Sequence, residues 1–406
     1  MFSPPTKNDP DKNSCELDTT VPVLVLGGKE NSLSVVRHLS SHGISVACSG
    51  PSDCWGMNSR FCSARYPVPE NIDPKAYWHD LLLGSKSNQQ QGQIILQGSD
   101  AAIEFVAQHY QELKKRYRLE GGSAEQRLAL LDKQTTLEMA RAAGIGCPEF
   151  WRIKSVNDLQ AIADKISYPV MVKPRDSAKF SRDMGRKLFI VKTGFDELLA
   201  RTKQAIEAGH SIMIVEMIPG PDSLLSSYYT YIDQDAKPLF HFTKRIFRRF
   251  PVNRGGATFH ATKWLPQTAR EGLDFFLKTG FRGTGNIEFK LDPRDNKLKI
   301  IEVNARLTAA EELAIRAGMP IDLIIYRQLT GQAIPDYENY HEGLNYLYLW
   351  RDALAFMQMR QSGDLSFGTW LKSITGVKSI SPLHSLADPW PSMAAAHSLA
   401  KKALKR

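Results

Sequence analysis

The sequence predicts a parallel α/β domain at the N-terminus, followed by α+β lobes in which strands and helices mix without strict alternation. Residues 21–28, VPVLVLGG, form a short apolar run ending in two glycines, which reads as a buried strand and a tight turn. Leu33, Val36 and Leu39 then recur at helical spacing over residues 32–42, and Gly43 offers a stop. A β-rich run at 44–48 completes a βαβ unit, right-handed if its strands are parallel. A further apolar strand at 93–97 ends in Gly98-Ser99-Asp100 and leads into a predicted helix over 101–116.

From residue 131 the pattern changes. Asp132 is placed to cap a helix over 133–143, with Gly144 closing it and Pro148 preventing continuation. Three short β-rich runs follow at 169–174, 188–192 and 211–217, with a helical segment at 195–208 between the last two. Residues 226–266 are strand-like, carrying Tyr228, Tyr229, Tyr231, Phe240 and Phe242. Residues 321–329 and 344–361 read as helical, and Thr308 with Glu311 fits a capping box.

Composition narrows the class of protein. Of 406 residues, 42% are apolar and 23% charged, as in ordinary globular chains, and no apolar run approaches the length of a membrane span. The first 20 residues are polar, without the apolar stretch of an export signal, and read as a flexible tail of a cytoplasmic protein. Five cysteines at irregular spacing provide neither a disulfide framework nor a CxxC metal pair. The formal charge of +9 suits nucleic acid or an acidic small ligand. No nucleic-acid motif surrounds the basic stretch Lys244, Arg245, Arg248, Arg249 and Arg254, so a nucleotide-like polyanion is the better reading. Gly27-Gly28 lacks the full GxGxxG pattern, and no acid ends the second strand, which disfavours a dinucleotide site.

The segment 285–306 carries the strongest chemical signal. Alternation puts Ile287, Phe289 and Leu291 on one strand face and Asn286, Glu288 and Lys290 on the other. After a turn at 292–296, the returning strand puts Ile301 and Val303 on one face and Glu302, Asn304 and Arg306 on the other. A turn centred near 294–295 brings Glu288 opposite Glu302, where like charges repel. A divalent cation would offset that cost, and two carboxylates with an amide suit Mg²⁺ or Mn²⁺ rather than zinc. The alternative is a solvated face on which the glutamates pair with Lys290 and Lys299. Lys173, ending an apolar strand, and Lys133, at a helix start, both call for an anionic partner such as phosphate. Residues 175–187 read as a mobile cationic hairpin lid.

The order Asp132-Lys133, Val172-Lys173-Pro174, Val215-Glu216-Met217-Ile218-Pro219-Gly220, Asn286-Ile287-Glu288 and Ile301-Glu302-Val303-Asn304-Ala305-Arg306 resembles the ATP-grasp superfamily over about residues 21–330. The resemblance implies a Rossmann-like preATP-grasp domain over 21–125, after a tail at 1–20. A central lobe with its lid over 126–220 and a C-terminal lobe with the metal site over 221–335 would follow, then a helical extension over 336–406. It implies ATP and Mg²⁺ (or Mn²⁺) as cofactors. By the same resemblance Lys133 and Lys173 contact phosphates, Glu216 and the Met217 backbone the adenine, and Asp222 the ribose, while Lys187 of the lid is a further candidate for binding the nucleotide. Glu288, Glu302 and Asn304 would hold the metal, with Arg306 and Lys173 catalytic. The opening Leu-Gly-Gly with Ser32, Leu33 and Arg37, the 244–258 segment, and Asp388-Pro389 with Pro391 are similar to the carboxylate–amine ligase branch that includes D-aspartate ligase.

That branch implies an ADP-forming ligase that activates a carboxylate as an acyl phosphate and joins it to an amine. A carboxylase or kinase of the same superfamily, or a nucleotide-binding scaffold without ligase activity, is the alternative. Lys244, Arg245, Arg248, Gly255 and Gly256 are candidate substrate contacts. The expected partners are a small carboxylic acid and an amine, without nucleic acid or membrane, and a homodimer is compatible with this reading.

Overall fold

The computed structural model describes residues 16–404, apart from 85–86, 176, 338 and 376–378. Most of the proposed tail lies outside the described residues. Residues 17–20 are anchored: Leu17 packs on the core, and Asp18 exchanges backbone hydrogen bonds with the Gln332 side chain (2.8 and 3.0 Å).

The first sheet is formed by β1 (Val23–Leu26), β2 (Val46–Gly50), β3 (Arg65–Pro67) and β4 (Ile94–Gln97), in the order β3-β2-β1-β4. All its pairings are parallel. The turn after β1 is closed tightly: Gly27 has φ +68°, and a Cβ there would lie 2.2 Å from Ser99 Oγ. The helix expected over 101–116 is broken at His109 into Asp100–Gln108 and Tyr110–Leu113.

A small antiparallel sheet follows, ordered β5-β8-β6-β7, from β5 (Phe150–Ile153), β6 (Val170–Pro174), β7 (Phe189–Val191) and β8 (Ile212–Glu216). Asp132 caps the helix Lys133–Ala142, accepting from the N–H groups of Gln134 (3.0 Å) and Thr135 (2.9 Å). The segment expected to be a hairpin lid instead contains the helix Ser177–Met184. Phe180 is fully buried, its ring 5.4 Å from Phe189 and 4.9 Å from His210. The basic residues obscured the Phe180/Met184 spacing of four that belongs to a helix face.

The third sheet has seven strands in the order β13-β12-β9-β10-β11-β14-β15. They are β9 (Leu225–Ile232), β10 (Phe242–Phe250), β11 (Gly256–Thr262), β12 (Gly283–Asp292), β13 (Lys297–Asn304), β14 (Asn345–Leu347) and β15 (Ser379–Ile380). Because β14 and β15 belong to this sheet, residues after 336 are not a purely helical extension. The helix expected from 344 starts only at Leu349, after β14. The Thr308–Glu311 capping box does not form either. Thr308 Oγ1 meets the Tyr229 hydroxyl (3.2 Å), while the buried Glu311 accepts from the Asp322 N–H (3.2 Å).

The cores explain how the lobes are joined. Val23, Val35 and Val46 share one apolar cluster with Tyr229, Phe242, Leu313 and Ile324, fusing the first domain to the large sheet. The small lobe keeps its own cluster, around Val170, Val172, Phe180, Phe189 and Leu198. A further cluster, including Phe150, Met213, Phe289 and Ile300, lies where the small and large sheets meet.

Candidate active site

Between the small and large sheets lies a cavity of about 450 Å³, and a second of about 230 Å³ adjoins it, sharing Gly256, Ala257 and Glu288. The β12–β13 register sets Glu288 against Glu302 and Asn286 against Asn304. A bulge follows: Glu288 pairs with Glu302 but Phe289 with Ile300, so Ile301 is the extra residue. Ile300 therefore takes the core position expected for Ile301 and is fully buried, while Ile301 lines the cleft.

Neither glutamate pairs with the lysines that offered an alternative to a cation. Lys290 Nζ donates to the carbonyls of Ile218 (3.0 Å) and Gly220 (2.6 Å), and Lys299 pairs with Asp295 (2.8 Å). Burial pushes the Glu288 carboxyl above its ordinary value, Lys244 opposing and Glu302 adding to the shift. The Asn304 amide nitrogen donates to Asn286 Oδ1 (3.1 Å), leaving its carbonyl oxygen for a cation. Among the described residues no cluster of three His, Cys, Asp or Glu side chains assembles, so this donor set is two carboxylates and an amide. That oxygen-only set fits Mg²⁺ or Mn²⁺, with phosphate oxygens completing the shell.

Lys133 and Lys173 line the larger cavity from the small-sheet side, together with Lys187. Burial, and then the neighbouring Lys133 charge, lower the Lys173 pKa to about 8. An anion between these lysines would relieve both penalties. Met171, Val215, Ile218 and Ile300 give the same cavity an apolar stretch suited to a planar base, which the sequence reading did not single out. Strand positions facing a cleft read like core positions.

Glu216 lines the cavity, but its carboxylate is held by Arg294 and by the Glu149 N–H (3.2 Å). Arg294 also grips Asp292, so the β12–β13 turn is tied to the end of β8. Met217 lines the same cavity; of its backbone, the N–H is taken by the Pro169 carbonyl (3.0 Å) and is not free for adenine in this conformation. Asp222 is buried beneath Arg249 (2.7 Å) and does not line the cavity, so its ribose assignment is corrected.

The basic stretch divides by strand face. Lys244 is 3% exposed and lines the smaller cavity, whereas Arg245, on the opposite face of β10, is exposed and lines neither cavity. Arg248 is spent on a buried two-pronged pair with Asp352 (Nε–Oδ1 and Nη2–Oδ2 both 2.9 Å) and on Ser373 (3.0 Å). These placements correct Arg245 and Arg248 as substrate contacts; a partner 104 residues away left no local signal. Irregularities in the β10–β11 register at 246–249 bury Arg248 and Arg249 in succession, against the alternation. Gly255 and Gly256 line the larger cavity. A Cβ on Gly255 would lie 1.8 Å from the Phe250 carbonyl oxygen, so only glycine lets that loop close.

Arg306 lines the smaller cavity with Glu288 and Asn304. Its Nε donates to Asp100 (2.7 Å), the first residue of the helix Asp100–Gln108 in the N-terminal domain, and Nη1 donates to the Leu307 carbonyl (3.2 Å). Asp100 thus holds the guanidinium at the junction of two domains, a contact the sequence could not reveal.

The family described as carbamoyl-phosphate synthase L chain, ATP binding domain, matches residues 267–335, which include the β12–β13 hairpin. D-aspartate ligase from Enterococcus faecium is 25% identical over 316 residues, 72% of this chain and 73% of that protein. Among solved structures, N5-carboxyaminoimidazole synthetase from Staphylococcus aureus aligns with a TM-score of 0.60 at 15% identity, covering 81% of this chain and 82% of that one. L-amino acid ligase from Bacillus licheniformis aligns with a TM-score of 0.56 at 15% identity, over 77% and 75% of the two chains.

Proposed function

We infer that this chain, a member of the ATP-grasp superfamily, is an ATP- and Mg²⁺-dependent carboxylate–amine ligase that releases ADP and phosphate. The observation that carries the reading is the Glu288/Glu302 pair facing Lys133 and Lys173 across one cavity. Similarity to a D-aspartate ligase supports an amino acid or a related small acid as substrate.

A carboxylate resists attack because its charge repels nucleophiles and oxide leaves poorly. When bound, Mg-ATP supplies the phosphoryl group that converts it to an acyl phosphate, which an amine attacks to release phosphate. Glu288, Glu302 and the Asn304 carbonyl oxygen would hold the metal. Lys133, Lys173 and Lys187 would hold the phosphates, and the apolar stretch from Met171 to Ile300 the base. Glu216, fixed by Arg294, shapes the hinge beside that base rather than presenting a free carboxylate. Arg306, positioned by Asp100, would orient the reacting carboxylate and neutralise charge as it develops.

The test is acid-dependent phosphate release with hydroxylamine as a general amine, the spent nucleotide being identified by chromatography. ADP and a hydroxamate are the expected products. AMP as the main product would overturn the reading, and release that depends on bicarbonate alone would move it to a carboxylase. Glu302→Gln should lower turnover at low Mg²⁺ and recover in part as Mg²⁺ is raised. Equal loss at every Mg²⁺ concentration would count against Glu302 as a ligand.

A further inference from the structure

The smaller cavity has walls from three distant parts of the chain. Glu30 comes from the helix Glu30–Ser41, and Lys244, Glu288 and Arg306 from the large sheet and the residues just after it. Tyr348 and Arg351 come from the segment that follows β14. This last contribution gives the C-terminal region a place at the site.

Once the proposed metal and the reacting carboxylate are provided for, the charges in this cavity do not cancel. Arg306 is tied to Asp100 and assigned above to the reacting carboxylate, and Glu288, whose charge otherwise acts on Lys244, belongs to the proposed metal. Lys244 and Arg351 remain, facing the single carboxylate of Glu30. Lys244 is 3% exposed, yet its side chain forms no hydrogen bond or ion pair among the described residues; its ammonium lies 5.8 Å from the Tyr229 ring centre. Among the described residues the Arg351 side chain gives one hydrogen bond, Nη2 to the Phe250 carbonyl (3.2 Å), lies over Tyr348 at 5.3 Å and has no carboxylate partner. His260 lines the same cavity at 2% exposure, and its buried Nδ1 has no hydrogen-bond partner among the described residues. Two cations, one carboxylate and an unused ring nitrogen lining one cavity call for an anionic ligand.

We propose that Arg351 is a specificity-determining residue that, with Lys244, binds a second, non-reacting carboxylate of a small dicarboxylic substrate. The proposal rests on the ligase reading above. The planar guanidinium matches both oxygens of a carboxylate, while the Tyr348 ring and the Phe250 carbonyl fix its plane. Gly256 permits the approach: a Cβ there would lie 3.3 Å from Arg351 Nη2. A cavity of about 230 Å³ leaves room for a small acid beside these side chains.

The test uses the full chain with Mg-ATP and hydroxylamine. The acids are both enantiomers of aspartate and glutamate, and succinate, set against both enantiomers of alanine, and propionate. Hydroxamate formation is expected with at least one dicarboxylate, favoured by about 10²-fold in kcat/KM over its monocarboxylate counterpart. Arg351→Gln should abolish that preference through KM for the acid, leaving KM for ATP and the Mg-ATP thermal shift unchanged. Arg351→Lys, which keeps the charge but loses the fork, should fall between and decides the matter if Arg351→Gln does not fold. No preference in the parent, no acid used despite a Mg-ATP thermal shift, or a preference that survives in the variants would overturn the proposal. Absence of any Mg-ATP shift would instead remove the ligase reading, and the proposal with it, at an earlier step.

Discussion

Lys173 shows how far a single residue can be read from its surroundings. At the end of an apolar strand, with Lys133 beside it, its ammonium is held down to about 8, whereas a free lysine titrates near 10.4. Below pH 8 it is charged and can hold phosphate. Between about 8 and 10.4 the free folded protein has released this proton while the unfolded chain keeps it, so this residue's contribution to stability rises with pH. A bound phosphate favours the charged form and reverses the shift. Nucleotide affinity is therefore expected to fall as pH rises through about 8, and binding near pH 9 should take up a proton at this residue. Calorimetry in two buffers of different ionisation enthalpy measures that uptake. The Lys173→Met variant should lose it, and equal uptake in the variant would assign the proton elsewhere.

At the scale of elements, the β12–β13 hairpin is the organising piece. Its register opposes Glu288 and Glu302, its bulge turns Ile301 into the cleft, and its turn binds the end of β8 through Arg294. Lys290 on the same hairpin is 4% exposed and holds the carbonyls of Ile218 and Gly220, fixing the hinge segment after β8. Lys290→Met keeps much of the volume but removes both charge-assisted hydrogen bonds, at an expected cost of about 1.5–3 kcal/mol in urea unfolding. Nucleotide affinity should fall with it. A variant as stable as the parent that binds Mg-ATP equally well would show the hinge to be held by other contacts.

Across the whole molecule, the C-terminal region is clamped back onto the first domain. The buried Asp388 accepts from Arg37 Nε (2.9 Å), Ser59 Oγ (2.7 Å) and the Arg60 N–H (3.0 Å), and Arg37 also reaches the Asp388 carbonyl (2.9 Å). Leu33 and Trp55 pack with Leu383 and Ala395 beside this link. Removing one partner of a buried pair strands the other, so Asp388→Ala is expected to cost about 3–5 kcal/mol. Limited proteolysis should then cut within the last 70 residues before the core. If cleavage begins in the small lobe at the parent's rate, the link does not hold the region in place.

The sequence by itself determined what local rules can decide. Period-two alternation and a short turn placed Glu288 opposite Glu302, Asp132 capped its helix through N–H groups two and three residues on, and the glycines after β1 required a tight turn. The cluster of lysines around a carboxylate pair was also legible, because each group is costly without a ligand. The tertiary structure decided which charges remain available for chemistry. Arg248 and Asp222 look like binding residues in sequence, yet long-range pairing with Asp352 and Arg249 uses them structurally. Arg351 carries no motif and reaches the smaller cavity only because β14 adds to the large sheet. Charge on a chain is local, but its neutralisation depends on residues that only folding brings within 3 Å.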